Sequence, residues 1–323
     1  MPARPSIAVL MDPLDTIKPA KDSTIAMLTA AARRGLETLV FGQGDLRLRD
    51  GRAFARLTPI EATGDAKAWY RAGAPAVRDL ATVDALLMRK DPPFDMEYIY
   101  STYLLERAEQ AGTLVVNRPQ GLRDMNEKAY TAWFPDCCAP TLIASDMAAM
   151  EAFVAEHGRA VFKPLDGMGG RSIFVVAEGD PNTRVVLETL TADGRRYAMA
   201  QRYLPEIAET GDARILLVDG EPVPHALVRM PAAGDHRGNL AAGARAESRA
   251  LTDRDRWLAS RIGPAMRERG MLFVGLDVIG GFVTEINVTS PTGIRELEKM
   301  HGHDIGGQLV DAVLARLPAT ART

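Results

Sequence analysis

Cysteine is nearly missing from this chain of 323 residues: Cys137 and Cys138 are the two present, side by side. Adjacent cysteines cannot staple distant segments, so a disulfide framework is excluded and the cytoplasm is the simplest reading of the compartment. Long apolar runs are missing too. No stretch approaches the roughly 20 residues that span a bilayer. The N-terminal run at 6–11 is cut by Asp12 before it reaches the length of a signal-peptide core. A basic excess is absent as well: the net charge is -3, which argues against an extended nucleic-acid surface. What remains, 46% hydrophobic and 25% charged residues, is the balance of a globular protein with core enough for two or three packed units.

The first third reads as a small α/β unit. A buried-strand run at 6–11, a helical period at 22–34 closed by Gly35 and a strand at 36–41 make a βαβ crossover. The stretch 46–57 alternates around Asp50-Gly51, a hairpin signal. A strand at 85–89, a helix at 95–111 and a strand at 113–117 continue the alternation, which predicts an open, mostly parallel sheet. Beyond Asn117-Arg118-Pro119 the texture changes. A helix is expected from Asn126-Glu127-Lys128 to about Phe134, then a strand at 141–144, a helix capped by Asp146, and a strand ending in Phe162-Lys163-Pro164. A glycine-rich stretch at 166–172 joins that strand to another at 173–176. Strands at 197–204 and 213–218 lead into 221–230, and 231–247 has the small, polar composition of a mobile loop. A capped helix at 252–269, a hairpin-like pair at 273–288 broken at Gly280-Gly281, and an amphipathic helix at 304–317 complete the chain.

Three groups of residues point to chemistry. The glycine stretch is not a P-loop, since no Gly-Lys-Ser/Thr ends it, and it is not a dinucleotide fingerprint, since a strand follows. A hairpin tip explains it equally well until Lys163 is considered. A strand-end lysine beside backbone amides freed by Gly167, Gly169 and Gly170 suits a triphosphate. The second group is Asp277 with Glu285 and Asn287: two carboxylates and an amide oxygen, hard ligands for Mg²⁺, on strands whose other residues are apolar. Glu285 and Asn287 share a strand face, but Asp277 faces Glu285 only if the turn has an odd length, such as Gly280-Gly281-Phe282. Arginines are the third group: Arg214, Arg229, Arg237 and Arg245. Taken singly, each is more often a surface ion-pair partner. Arg245, among small residues, is the best placed to clamp a carboxylate or a developing phosphate charge. His301-Gly302-His303-Asp304 has a metal-like spacing with no further ligand nearby in the sequence, and reads as an exposed turn and helix cap.

Together, Lys128, Lys163 with its glycine loop, Gln201-Arg202-Tyr203-Leu204 and Asp277…Glu285-x-Asn287 resemble the ATP-grasp fold. More narrowly, the chain is similar to the bacterial glutathione synthetase family. The similarity extends through Met88-Arg89-Lys90-Asp91-Pro92-Pro93-Phe94-Asp95, Arg237-Gly238-Asn239-Leu240 and Thr284-Glu285-Ile286-Asn287-Val288-Thr289-Ser290-Pro291-Thr292. The resemblance implies an α/β (α+β) ATP-grasp fold behind an N-terminal open parallel sheet, divided at 1–122, 123–205 and 206–323. It implies ATP contacts at Lys128, Lys163, Gly167, Gly169, Gly170, Ser172, Gln201, Tyr203, Leu204 and Asp212, and two Mg²⁺, replaceable by Mn²⁺, on Asp277, Glu285 and Asn287. Arg214, Arg237 and Arg245 take catalytic roles, and Asp12, Ser23, Arg89, Arg229, Ser290, Pro291 and Thr292 meet the peptide substrate. The activity implied is ligation of γ-glutamylcysteine to glycine through an acyl phosphate, in a homotetramer, with no nucleic acid or membrane as partner. Another ATP-grasp ligase and a non-catalytic ATP-binding regulator are the alternatives. Two departures from the family pattern stand out: alanines flank Arg245, and an extra residue precedes Asp212.

Overall fold

Three β-sheets follow one another along the chain, and each takes its pairing direction from how its strands are connected. The computed structural model describes residues 4–63, 68–167, 169–232 and 245–318. The first sheet is built from β1 (Ser6–Leu10), α1 (Ser23–Arg33), β2 (Glu37–Phe41), β3 (Leu46–Arg49), β4 (Arg52–Ala62), β5 (Tyr70–Ala72), β6 (Ala76–Asp79), β7 (Ala85–Met88), α2 (Met96–Gln110) and β8 (Leu114–Val116). Its order is β3-β4-β2-β1-β7-β8, with β5 and β6 also pairing β4. Where helices cross over, at β2-β1-β7-β8, the strands are parallel. Around the long hairpin strand β4 every pairing is antiparallel. The sheet is therefore mixed rather than mostly parallel, because a tight turn such as Asp50-Gly51 can return a chain only antiparallel.

The second sheet follows α3 (Pro119–Asp124) and comprises β9 (Thr141–Ala144), α4 (Met147–His157), β10 (Arg159–Pro164), β11 (Phe174–Ala177), α5 (Thr183–Thr191) and β12 (Ala198–Arg202). It is antiparallel, in the order β11-β10-β12-β9, and its two helices bury Phe153, Leu187 and Leu190 against Ala160, Phe162 and Ala200. The third contains α6 (Ile207–Thr210), β13 (Asp212–Val218), β14 (Glu221–Pro222), β15 (His225–Met230), β16 (Arg245–Ala250), α7 (Asp253–Glu268), β17 (Phe273–Ile279) and β18 (Phe282–Asn287), then α8 (Ile294–His301) and α9 (Ile305–Leu314). Its order is β16-β15-β13-β17-β18. One apolar core joins the first sheet to the third, Leu39, Leu86 and Tyr98 packing into the same cluster as Ile215, Leu276 and Ile286. Asn117, just past β8, fastens the junction. Its amide donates to the carbonyls of Phe273 (2.8 Å) and Val288 (2.7 Å) and accepts from the Phe273 N–H (3.0 Å).

The expected helix from Asn126 to Phe134 is not there. Asn126 Oδ1 accepts from the N–H groups of Lys128 (3.1 Å) and Ala129 (2.9 Å), a local bond that competes with a helix. The Glu127 carbonyl is taken by Ile286 N–H of β18 at 2.8 Å, and a 3-10 turn (Ala129–Trp133) follows.

Helix α7 begins with a reciprocal cap. Thr252 Oγ1 accepts from Asp255 N–H (3.1 Å), while Asp255 Oδ2 accepts from Thr252 N–H (2.8 Å) and pairs with Arg249. Burial raises the Asp255 pKa, but the bonds from Arg249 and Thr252 outweigh it and hold the carboxyl below its ordinary value. A depressed folded pKa gives stability that is present above the unfolded value and is lost as pH falls through the folded one. Asp255→Ala is therefore expected to cost about 1–3 kcal/mol at neutral pH. Urea melts of both proteins should show the gap narrowing below about pH 4; a gap independent of pH would contradict this role.

Candidate active site

A cavity of about 630 Å³ opens between the second and third sheets. Strand alternation decides what reaches it. On β10, Ala160 and Phe162 point into the helix-covered core, so Arg159, Val161 and Lys163 face the cavity. On β12, Gln201 lies opposite Val161 and shares that face. Lys163 Nζ donates to Gln201 Oε1 at 2.9 Å, and Lys128 Nζ donates to the Gly167 carbonyl. Both ammonium groups are buried, Lys128 at 4% and Lys163 at 7% exposure. Burial lowers the Lys163 pKa, with Lys128 adding to the shift against the pull of Glu285, Asp212 and Asp277. Two buried ammonium groups aimed at one space suit an anionic occupant, beside the carboxylates of Glu285, Asp212 and Asp277 already there. Gly167, Gly169 and Gly170 form the lip of the same wall, and Arg159 lies over the Tyr203 ring at 4.2 Å.

The opposite wall is the β17–β18 hairpin. Its turn is the short one, with Ile279 paired to Phe282 around Gly280-Gly281. Asp277 nevertheless faces Glu285, because the odd residue sits elsewhere: Val278 pairs with Val283, and Thr284 is a bulge between that pair and Asp277–Glu285. The expected juxtaposition is present, and its cause is a bulge rather than a three-residue turn. Val274, Leu276, Ile286 and Val288 fill the core on the other face. Asn287 Nδ2 donates to the Gly275 carbonyl at 3.2 Å, which turns its amide oxygen to the cavity, and Glu285 Oε1 stands 3.8 Å from Lys128 Nζ. These oxygens fit a small hard divalent cation that retains several waters.

Asp277 has a second engagement. Arg214 binds it with both Nε and Nη2 at 2.8 Å, and Arg229 Nη2 lies 3.0 Å from the same carboxylate. Burial raises the Asp277 pKa, but these guanidinium groups outweigh it and hold the carboxyl well below its ordinary range. Its neighbour Asp212 goes the other way, pushed up to about 6 by burial against the pull of Arg229. Among the described residues, Asp212 Oδ1 and Arg229 Nε are both buried without a hydrogen-bond partner. Orphaned polar atoms of both signs beside a cavity are what a charged ligand would satisfy. Gly275 makes room here, since a Cβ would come within 3.0 Å of Pro291.

The cavity wall includes Lys128, Lys163, Gly167, Gly169, Gly170, Gln201, Tyr203, Leu204, Asp212, Arg214, Arg229, Asp277, Glu285, Asn287, Ser290, Pro291 and Thr292, all candidates from the sequence. Five other candidates stand off it. Arg89 is buried behind the wall, donating to the Pro291 carbonyl (2.9 Å) and Thr24 (3.2 Å), so it positions the 290–292 turn. Ser23 Oγ accepts from Ile294 N–H at 3.2 Å, and Asp12 Oδ2 accepts from Asp91 N–H at 2.9 Å. Ser172 is exposed at φ 55. Arg245 is exposed and paired with Glu247. It lies opposite Met230, whereas Ala246 lies opposite Arg229, so Arg245 takes the face away from the cavity. Arg237, Met168 and residues 233–244 of the expected loop lie outside the described residues. The sequence reading left Glu127 without a role. Its Oε1 accepts from Val288 N–H (3.2 Å), Thr289 N–H (3.1 Å) and Thr289 Oγ1 (2.6 Å), anchoring the chain just past Asn287.

Comparison with known proteins agrees with this layout. Residues 6–123 match the family described as prokaryotic glutathione synthetase, N-terminal domain, and residues 127–302 match the prokaryotic glutathione synthetase ATP-grasp domain. The glutathione synthetase of Pseudomonas putida is 54% identical over 313 residues, covering 97% of this chain and 98% of that protein. That of Vibrio cholerae is 52% identical over 315 residues, covering 98% and 99%. Among solved structures, the D-cycloserine synthetase DcsG superposes with a TM-score of 0.69 at 17% identity, over 97% of this chain and 100% of the other. The ATP-grasp ligase PsnB, in complex with a minimal precursor, Mg and ADP, gives 0.63 at 20% identity, over 98% of each chain. At such identities these two structures speak to the fold alone.

Proposed function

Because the chain belongs to the prokaryotic glutathione synthetase family, ATP-dependent carboxylate–amine ligases of the ATP-grasp fold that use a divalent metal, we propose that it joins the cysteinyl carboxylate of γ-glutamylcysteine to glycine, giving glutathione, ADP and phosphate. The observation that carries this reading is one cavity with two buried lysines and a glycine loop on one wall and three hard oxygen ligands on the other. In this reading 123–205 grips the nucleotide, 206–323 supplies the metal and carboxylate contacts, and 1–122 supports the peptide side.

The residues divide the work by charge and position. Lys128 and Lys163 lie against the phosphates, with the amides of Gly167, Gly169 and Gly170 as further donors. Gln201, Tyr203 and Leu204 border the base, and Asp212 meets the nucleotide from the third sheet. Asp277, Glu285 and Asn287 would hold Mg²⁺, two ions in the full site with Mn²⁺ as a substitute. When bound, the metal neutralises charge that develops on the transferring phosphoryl group. Arg214, Arg229 and the Ser290-Pro291-Thr292 turn orient the substrate carboxylate, whose oxygen attacks the γ-phosphorus as ADP leaves. The glycine amine then attacks the acyl carbon, loses a proton and expels phosphate. Water must be kept out between the two steps, since an acyl phosphate hydrolyses, and the segment 231–247 with Arg237 is the proposed cover, Arg245 being turned to its outer face. In this reading the enzyme acts in the cytoplasm as a homotetramer; the resemblance to the family supports both points, and light scattering tests the second.

ADP release measured with ATP, Mg²⁺, γ-glutamylcysteine and glycine, omitting each in turn, tests the function. ADP is expected only when all four are present, with glutathione as the product. ADP formation with a different amine or acid in preference would assign the chain to another ligation. Nucleotide binding without any hydrolysis would overturn the enzymatic reading.

A further inference from the structure

Three imidazoles converge outside the cavity, where β15, β16 and α8 meet, and we propose that they form a binding site for a divalent cation of the zinc, nickel and copper class. One ring nitrogen from each of His225, His301 and His303 lies within 4.8 Å of the other two. His301-Gly302-His303 lacks a third ligand in the local sequence, and the fold supplies it from the start of β15.

The convergence follows from how α8 is laid down and stopped. Ile294 and Leu297 are fully buried, which seats the helix on its apolar side and leaves its C-terminal end at the surface. The helix stops at Gly302, a left-handed cap at φ 69 whose N–H donates to the Glu298 carbonyl at 2.8 Å. That reversal turns His303 back beside His301, with ring centroids 5.4 Å apart, before Asp304 caps α9. His225 meets both: His303 Nε2 is 2.9 Å from its Nδ1, and the His301 ring stacks on it at 3.7 Å.

Imidazole nitrogens favour late first-row cations over Mg²⁺ or Ca²⁺. Two nitrogens 2.9 Å apart, each about 2.0–2.1 Å from a common ion, subtend an angle of about 90° there, and a spread of roughly 0.4 Å opens it to tetrahedral. The proton bridging His225 and His303 is what the cation replaces. His301 is exposed, so its ring can swing its edge inward as the third ligand by giving up its 2.8 Å hydrogen bond with Ser248 Oγ. Among the described residues none of the three makes an ion pair with a carboxylate. A cation here ties β15 to the end of α8, the helix that follows the Ser290-Pro291-Thr292 turn.

The test is equilibrium dialysis of the full chain against Zn²⁺ with millimolar Mg²⁺ present to occupy the oxygen ligands of the cavity, followed by metal analysis. One zinc per chain is expected, with affinity falling at least about a hundredfold in His225→Ala and in His303→Ala. Zinc should also raise the Tm of the unsubstituted protein by at least about 2 °C and leave that of His301→Ala unmoved, a readout independent of turnover. Zinc that binds equally to the histidine variants, zinc lost instead in Cys138→Ser, or no zinc bound at all would each overturn the site.

Discussion

Glu285→Ala is expected to lower turnover at least about a thousandfold at saturating ATP and ordinary Mg²⁺ while leaving the folded chain intact. The two halves of that expectation have separate physical grounds. Structurally, the Glu285 side chain is 21% exposed and meets Lys128 only at 3.8 Å. Lys128 is buried but keeps its bond to the Gly167 carbonyl, so the loss should be about 1–3 kcal/mol, a few degrees in Tm that leave the protein folded. Chemically, Glu285 is the hard ligand least committed to protein partners, since Asp277 is held by two arginines and Asn287 spends its amide N–H on Gly275. Titrating ADP release against Mg²⁺ separates the alternatives. A lost ligand raises the Mg²⁺ requirement as well as lowering the maximum rate, and Glu285→Asp, a methylene short, should recover part of the rate at higher Mg²⁺. Full activity with an unchanged Mg²⁺ curve would remove Glu285 from the metal site.

Much of this site could be read from local pattern, and the boundary of legibility is physical. Five of the six helices that the sequence announced formed, and each begins at a side chain that accepts from its own first turn: Asp22, Asp95, Asp146, Thr252 and Asp304; the sixth, from Asn126, is a 3-10 turn. The helices that went unread, α3, α5, α6 and α8, have no such cap and are fixed by packing. Strand period 2 was enough to put Glu285 and Asn287 on one face of β18. It was not enough to place a bulge. Nothing near Thr284 signals the extra residue, because a bulge is set by what the neighbouring strands and Glu127 require of β18. Pairings across sheets were invisible for the same reason. Arg89 appears as a substrate residue in the motif but is a buried support for Pro291, 202 residues away. Arg245 looked like a clamp by composition, and the β15–β16 register turns it outward.

Arg214→Ala is expected to cost about 3–5 kcal/mol in Mg²⁺-free buffer, with a fall of several degrees in Tm. Asp277 is 4% exposed, and Arg214 contributes both of its 2.8 Å bonds from a fork that matches the carboxylate. Removing it leaves a buried charge with Arg229 alone, and Arg229 is already shared with Asp212. Lysine should restore little, because a point charge cannot reproduce the two-pronged geometry. The response to Mg²⁺ then decides what Asp277 is. If its oxygens also ligate the metal, a cation stands in for part of the missing guanidinium charge. Mg²⁺ should in that case raise the Tm of Arg214→Ala by more than it raises that of the unsubstituted protein. If Asp277 serves only as the anchor of Arg214 and Arg229, Mg²⁺ will shift both proteins equally, and the metal ligands reduce to Glu285 and Asn287. Either result decides what this wall does: in the first case Asp277 serves the metal as well as the arginines, and in the second it serves the arginines alone.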